Sequence, residues 1–346
     1  MRDCYSVFPR RLPPGPPGKA HMDQDQPQQQ EEHAGSTWIR VMEASLGIAL
    51  LIGAGFLAHI YAPPPTQDLR SQVTQLTQQV EELQQEQAMP AMVLNKYRNS
   101  ICYIFGIYEV GIPGQRPQLR ARISGTGFVV AKGLLATNRH VAEPWYGDQE
   151  AAALIQKGAT PVLERLFVFF PGRPLPVDVT PIVVSGDNDL AVLKVDEPLG
   201  HQLRPLPLAP DAPSPGELVA VIGYPMGVLG MVAKSPPAVY ERLAYRRDDM
   251  GAASELAALS LIRPSATCGH LGDVVGEKLI YDAPTAHGGS GGPVFNSHGE
   301  VIGINSAYID GFSGGTLGIS VGALKPLIAA AQKKPVHAAA PPTPAN

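Results

Sequence analysis

The stretch YDAPTAHGGSGGPVFNSHGEVIGIN, residues 281–305, sets four glycines around Ser290 and follows them with a proline and a short apolar run. Glycine weakens regular structure and is favoured where the backbone must take left-handed or tight conformations, or admit another group closely. A flexible linker would use it too. The sequel separates the two readings, because PVFNSHGEVIGIN reads as a short strand, a polar turn at Asn296 to Gly299 and a second apolar strand. Ser290 therefore sits on a shaped turn at the edge of a sheet. A serine framed in this way can act as a nucleophile, with neighbouring backbone N–H groups stabilising the negative oxygen of a tetrahedral intermediate.

Serine is a poor nucleophile at neutral pH, so this reading demands a histidine as base and a carboxylate to orient it. A purely structural glycine turn demands neither. Of the nine histidines, His21, His33 and His59 precede the globular part and His337 lies in the tail, which leaves His140, His201, His270, His287 and His298. His140 has the persuasive setting. In SGTGFVVAKGLLATNRHVAEP, residues 124–144, GTGFVVA and LLATN read as a hairpin turned at Lys132-Gly133, and RHVAEP begins a helical turn stopped by Pro144. A histidine just beyond a strand is held by the sheet yet faces a cleft. The carboxylate comes from VVSGDNDLAVLKVD, residues 183–196, where a polar turn runs into the strand LAVLKV. Asp189 touches that strand and Asp187 belongs to the turn; the partner of a histidine has to be partly buried, which selects Asp189.

In the order His140, Asp189, Ser290, the three motifs resemble the chymotrypsin-fold serine proteases, and ATNRHV, DNDLAVLKVD and GGSGGPVFNSHGEVIGIN are similar to the HtrA/Deg branch in particular. The segment LRPLPLAPDAPSPGELVAVIGYPMG, residues 203–227, also resembles that branch, at the crossing from its first barrel to its second. The resemblance covers roughly residues 92–332. It implies two six-stranded barrels with the site in the cleft between them, His140 as general base, Asp189 as its orienting partner, Ser290 as nucleophile, and the N–H groups of Gly288 and Ser290 as the oxyanion hole. The pocket for the residue before the cleaved bond would be lined near Ala283 to His287, Asn305 to Tyr308 and Thr316 to Ser320, with Asn305, Ser306 and Ala307 binding substrate. These spans are mostly small and neutral, with no acidic residue, which favours small or medium apolar side chains. His287, three before the serine, reads as a loop histidine or as one at the pocket mouth.

The chain departs from the HtrA pattern in two places. Such chains usually continue into PDZ domains, whereas TLGISVGALKPLIAAAQKKPVHAAAPPTPAN reads as a last strand, a short helix and an Ala/Pro tail, to which no PDZ domain fits. Residues 144–160 and 224–262 are long excursions, the second with a helix near Met250 to Leu261. Excursions of this length act as lids or binding loops in many domains, and extra surface packing is the equal alternative.

Composition agrees. With 346 residues there is room for one large or two small domains. Glycine and proline number 36 and 35, hydrophobic residues make up 44% and charged ones 17%, as suits a turn-rich β protein. A net charge of −4 gives no basic footprint, so no nucleic acid is expected. No phosphate loop or zinc-ligand spacing appears, so no cofactor and no metal is expected; His270 with Asp273, or His287 with His298, read as scattered surface groups. Cys4 lies in the tail, while Cys102 and Cys268 fall inside the domain and read as two separate buried thiols, although spacing alone does not decide whether they meet.

From Ala44 to Ala62, ASLGIALLIGAGFLAHIYA offers nineteen residues without formal charge, about the ~20 a helix needs to cross a bilayer. Trp38 and Tyr61 flank it as interfacial aromatics do. Pro-rich and Gln-rich neighbours provide nothing to bury it against, and the long polar lead and the proline run after Ala62 argue for an uncleaved anchor over a signal peptide. Arg2, Arg10, Arg11, Lys19 and Arg40 precede the span against Arg70 just beyond, which favours an inside N-terminus. The expected location is the inner (cytoplasmic) membrane, single-pass, with the protease domain in the periplasm or extracytoplasmic space. Beyond the prolines, Leu69, Val73, Leu76, Val80 and Leu83 alternate at spacings of four and three, an a/d seam of little more than two heptads. A coiled coil usually needs more, so a solvated stalk helix and a homo-oligomer tethered through the seam both remain open.

The expected fold class is therefore all-β, with two six-stranded antiparallel β-barrels (chymotrypsin-like) and a short C-terminal helix, preceded by one transmembrane helix and a short stalk helix. Its segments are a disordered tail over 1–37, an anchor over 38–62, a Pro/Gln-rich stalk over 63–91, a protease domain over 92–332 with barrels at about 92–200 and 215–322, and a disordered tail over 333–346. The expected activity is that of a serine endopeptidase on unfolded or membrane-proximal polypeptides, with the lipid bilayer as partner through residues 38–62. A protease-fold sensor or scaffold that needs a partner to activate is the second reading.

Overall fold

The computed structural model describes residues 34–61, 66–112, 114–195, 203–308 and 315–334. Residues 1–33 and 335–346 of the expected tails, and His201, lie outside them. The chain divides after Thr74 into two units. The first holds α1 (Ala34–Tyr61) and the start of α2 (Thr66–Tyr97). Within α1, Trp38–Tyr61 is long and apolar enough to cross a membrane by length and composition, and none of it is buried by protein. The helix begins four residues inside the stretch expected to be tail. The second helix is longer than the short stalk expected, 32 residues, and its seam residues Leu69, Val73, Leu76, Val80 and Leu83 are all exposed.

In the second unit the last turns of α2 already join the core, because Met89 and Val93 are buried among the barrel residues. Each such side chain contributes about 1.5–3 kcal/mol, so packing begins before the boundary expected at residue 92. Tyr97 ends the helix stacked on Phe295, with ring centroids 5.6 Å apart.

Twelve strands follow among the described residues. The first closed antiparallel barrel contains β1 (Ile101–Gly111), β2 (Leu119–Ala131), β3 (Leu134–Thr137), β4 (Thr160–Phe169), β5 (Val177–Val184) and β6 (Ala191–Val195), in the order β1-β2-β3-β6-β5-β4. The second contains β7 (Leu218–Gly223), β8 (Ser265–Val275), β9 (Lys278–Tyr281), β10 (Pro293–Phe295), β11 (Val301–Tyr308) and β12 (Thr316–Ser320), in the order β10-β11-β12-β9-β8-β7. The apolar runs of β1, β6 and β7 follow from the two-residue period of a strand. Cys102, Ile104, Leu193 and Val195 fill the first barrel, and Val219 and Val221 the second. Their neighbours Ile101, Tyr103, Phe105, Val192, Ala220 and Ile222 face outward into a shared core. That core is completed by Leu324 and Ile328 of the C-terminal helix. A strand buried on both faces must be apolar throughout.

The excursions are helical. α3 (Arg139–Ala142) precedes residues 144–160, which carry α4 (Gln149–Gln156), a helix beyond those expected. The signal was present: Asp148 caps α4 by accepting from Ala151 N at 2.8 Å, and QEAAALIQ is rich in helix formers. Residues 224–262 carry α5 (Gly227–Ala233), α6 (Pro237–Leu243) and α7 (Asp249–Ala258). Ala253 and Leu256 of α7 are fully buried, so this excursion is part of the core. The last helix, α8, is Val321–Lys333.

The cysteines require a correction. Cys102 is buried and free, and Cys268 is exposed and free. The period of β8 places Cys268 and His270 on its solvent side. Burial pushes the Cys102 thiol up, beyond the ordinary thiol range. Iodoacetamide is therefore expected to alkylate Cys268 in the native protein and to reach Cys102 only after unfolding. Peptide mass spectrometry checks this; equal native labelling would contradict the barrel packing.

Candidate active site

His140 stands on the short turn α3, reached directly from β3, and Asp189 stands two residues before β6. Because β3 and β6 are paired neighbours, the two turns emerge side by side. His140 Nδ1 lies 2.7 Å from Asp189 Oδ2, and the His140 backbone N–H donates to Asp189 Oδ1 at 2.9 Å. Ser306 Oγ donates to the same Oδ2 at 2.7 Å. Burial alone would raise the Asp189 carboxyl, but the bonds from His140 and Ser306 outweigh it and hold the group below its ordinary value. With side chains 36% and 21% exposed, His140 and Asp189 are held by protein yet reachable from solvent. Asp187 is exposed and stays in its turn, where its N–H bonds Ser185 Oγ.

The turn carrying Ser290 is gripped through its carbonyls. Ala286 O accepts from Gly289 N at 2.9 Å, His287 O from Met226 N at 2.5 Å, and Ser290 O from Thr126 N at 2.8 Å. Gly288 O accepts from Thr126 Oγ1 at 2.7 Å, and Gly289 O from Asn305 Nδ2 at 2.9 Å. Five consecutive carbonyls are thus occupied. In a trans peptide the N–H points opposite to the carbonyl, so the N–H groups of Gly288 and Ser290 are turned away from these partners. Neither donates to a protein acceptor among the described residues. Gly288 and Gly291 have φ of +89° and +87°, which favours glycine, and a Cβ on Gly291 would collide with Thr126 O and Thr137 Oγ1.

Ser290 Oγ donates to Ser306 O at 2.9 Å. Ser306 lies at the irregularity of β11 between Asn305 and Ala307. Ser306 thus bridges the two sides, its carbonyl accepting from Ser290 and its hydroxyl donating to Asp189, which pairs with His140.

The sequence model of a family described as "Trypsin-like peptidase domain" matches residues 125–304, over half of the chain. The chain belongs to this family. Among its relatives, the "Probable periplasmic serine endoprotease DegP-like" of Rhizobium meliloti (strain 1021) is 29% identical over 210 residues, covering 60% of this chain and 32% of that protein. The "Putative serine protease HhoA" of Synechocystis sp. is 28% identical over 195 residues, covering 55% of this chain and 39% of that one. The chain spans about a third of the length of the curated relatives it matches, from 32% to 39%. Among solved structures, the serine endoprotease from Yersinia pestis is 18% identical with a TM-score of 0.43, covering 70% of this chain and 65% of that one.

Within this trypsin-like peptidase domain, several residues of the site have no counterpart in the sequence reading. Asn138 Nδ2 donates to Asp189 O at 2.8 Å, and Arg139 Nη1 donates to Ser185 O at 2.9 Å, fastening the histidine turn to the aspartate turn. Thr137 Oγ1 donates to Thr126 O at 2.7 Å. Thr126 and Thr137 are fully buried, and the sequence signal was confined to Thr137, the one polar residue of the short apolar strand β3. Ala307 is exposed and Ser306 half-buried on β11, whereas Asn305, expected to bind substrate, is 1% exposed and turned inward. Strand alternation separates Asn305 from its neighbour. His287 is exposed beside the serine turn. A cavity of about 690 Å³ lined by Arg98, Arg173, Arg263 and Ile262 among others includes none of these groups.

Proposed function

We propose that this chain is a serine endopeptidase anchored to a membrane. Ser290 Oγ attacks the peptide carbonyl while His140 Nε2 takes its proton and returns it to the leaving amine. Asp189 holds the Nδ1–H tautomer and stabilises the imidazolium. The N–H groups of Gly288 and Ser290 receive the oxyanion. Water then attacks the acyl-serine, with His140 again as base, and releases the second product. To begin the cycle the Ser290 hydroxyl exchanges Ser306 O for the imidazole.

The observation that carries this reading is the His140–Asp189 pair joined through Ser306 to Ser290, on a turn whose five carbonyls are occupied while the N–H groups of Gly288 and Ser290 have no protein acceptor among the described residues. A sensor or scaffold with a collapsed oxyanion turn would need the His287 carbonyl swung towards Ser290, and Met226 N holds it elsewhere. Ser306 and Ala307 present small side chains beside the serine, which supports a preference for small or medium apolar residues before the cleaved bond. The apolar span of α1, the basic residues before it and the periplasmic names of the relatives support an inner-membrane anchor with the domain exported. Unfolded or membrane-proximal polypeptides are the proposed substrates. Pairing of the α2 seam with a second copy would make a homo-oligomer.

The test is labelling of the full chain in detergent with a fluorophosphonate, which modifies a serine activated by its histidine. Wild type is expected to label and Ser290→Ala to stay blank. Labelling of neither would overturn the enzymatic reading.

A further inference from the structure

Asn305 makes more directed bonds to the serine turn than any other side chain around it. Nδ2 donates to Gly289 O at 2.9 Å and to Thr285 Oγ1 at 3.0 Å, and Oδ1 accepts from Tyr281 Oη at 2.8 Å. Its backbone joins in: Asn305 N donates to Gly292 O and Gly291 N donates to Asn305 O, both at 2.8 Å. A carbonyl can only accept, so the Gly289 contact fixes which end of the amide carries nitrogen. Both amide hydrogens and the amide oxygen are then used.

Tyr281 is fully buried and reaches Asn305 from β9, although β12 runs between β9 and β11. The passage is over Gly318, where a Cβ would come 3.0 Å from Tyr281 Cε1 and 3.2 Å from its Oη. Both distances are tighter than ordinary contact. Glycine at 318 keeps the path open.

Gly289 O and Ser290 N belong to one planar peptide unit, with C=O and N–H opposed. Whatever holds that carbonyl aims that N–H. Gly292 N also donates to Gly289 O, at 3.1 Å, but it belongs to the turn itself; Asn305 anchors the unit to the barrel. We infer that Asn305, braced by Tyr281 across Gly318, is a positioning residue that aims the Ser290 N–H at the developing oxyanion. This rests on the proposed peptidase reading. The network is neutral throughout, buried at Tyr281, Asn305 and Gly289 and half-buried at Thr285, so it holds the donor without an ion pair.

The experiment compares wild type, Tyr281→Phe and Asn305→Ala as full chains in detergent, with quenched-fluorescent casein for kcat and KM, fluorophosphonate titration to count competent sites, and hydrogen exchange over residues 285–292. Asn305→Ala is expected to lower kcat per competent site about 100-fold, as loss of an oxyanion donor does, with KM within about threefold. Tyr281→Phe removes one hydroxyl and is expected to lower kcat about tenfold, with faster exchange confined to 285–292. A residue that merely filled the core would reduce the number of folded molecules and leave kcat per site unchanged. If both variants keep kcat within about threefold of wild type, the positioning role is overturned. If wild type itself neither cleaves nor labels, the peptidase reading fails, and exchange decides the network separately: unchanged protection of 285–292 in Tyr281→Phe overturns it, and faster exchange confined to that stretch upholds it.

Discussion

Ser290→Ala is expected to reduce kcat on casein by about 10⁵–10⁶-fold, since removal of the nucleophile leaves only what binding and the oxyanion donors supply. The variant should remain folded. Ser290 is half-buried and its hydroxyl makes one neutral bond, to Ser306 O, whose loss costs about 0.5–1.5 kcal/mol. The carbonyl grip does not involve the hydroxyl, and the free N–H groups survive. The variant should therefore bind unfolded polypeptide as wild type does and release it uncut. Casein cleavage and a thermal melt, measured on the same preparation, check both halves. Activity within about tenfold of wild type would mean that another group attacks the carbonyl.

Asp189→Asn is expected to lower kcat by about 10⁴-fold. The replacement keeps the shape but presents an amide nitrogen where Oδ2 now faces His140 Nδ1 and Ser306 Oγ, or where Oδ1 faces the His140 backbone N–H. In the first orientation a donor meets Nδ1, so the imidazole must carry its proton on Nε2 and cannot take one from Ser290. In the second, two N–H groups oppose each other and the turn loosens. The first orientation removes the base; the second keeps an acceptor for Nδ1–H but displaces the turn that carries His140.

The same variant reports on stability. The Asp189 carboxyl is held below its ordinary 3.8, so ionised Asp189 favours the fold at every pH above that value. The contribution fades as pH falls through the lowered value, because the folded state must then take up a proton it resists. Wild type should melt higher than Asp189→Asn near neutrality, and the gap should close in acid below 3.8. Thermal melts across that range measure it; a gap independent of pH would show that the carboxylate is not what binds the two turns.

Much of this site was legible before any coordinates. Ser290, His140 and Asp189 each stand on a polar turn joined to an apolar strand, a pattern written in consecutive residues. The choice of Asp189 over Asp187 needed only contact with the strand. Alternation and turn residues likewise exposed the β class, and the long apolar stretch exposed α1. The helix α4 has a local signal as well, in the cap Asp148 and the helix formers behind it.

Other features depend on partners far along the chain. Cys268 lies in a strand of mixed character whose solvent face is set by its pairing with β7 and β9. Asn305 lies beside Ser306 in one strand, yet the first turns into the barrel and the second meets Asp189, 117 residues away. Thr126 holds Gly288 O across 162 residues and from the other barrel. A period of two tells which residues share a face. It does not tell which face closes inward, or which strand a closed barrel brings opposite. By itself the sequence determined most of the strands, the turns that carry His140, Asp189 and Ser290, and the apolar span of α1, because these rest on local conformational preference and hydrophobic pattern. Only the tertiary structure decided the register, the occupied carbonyls and the orientation of the two N–H donors, because hydrogen bonds between distant residues form only when barrel closure brings them together.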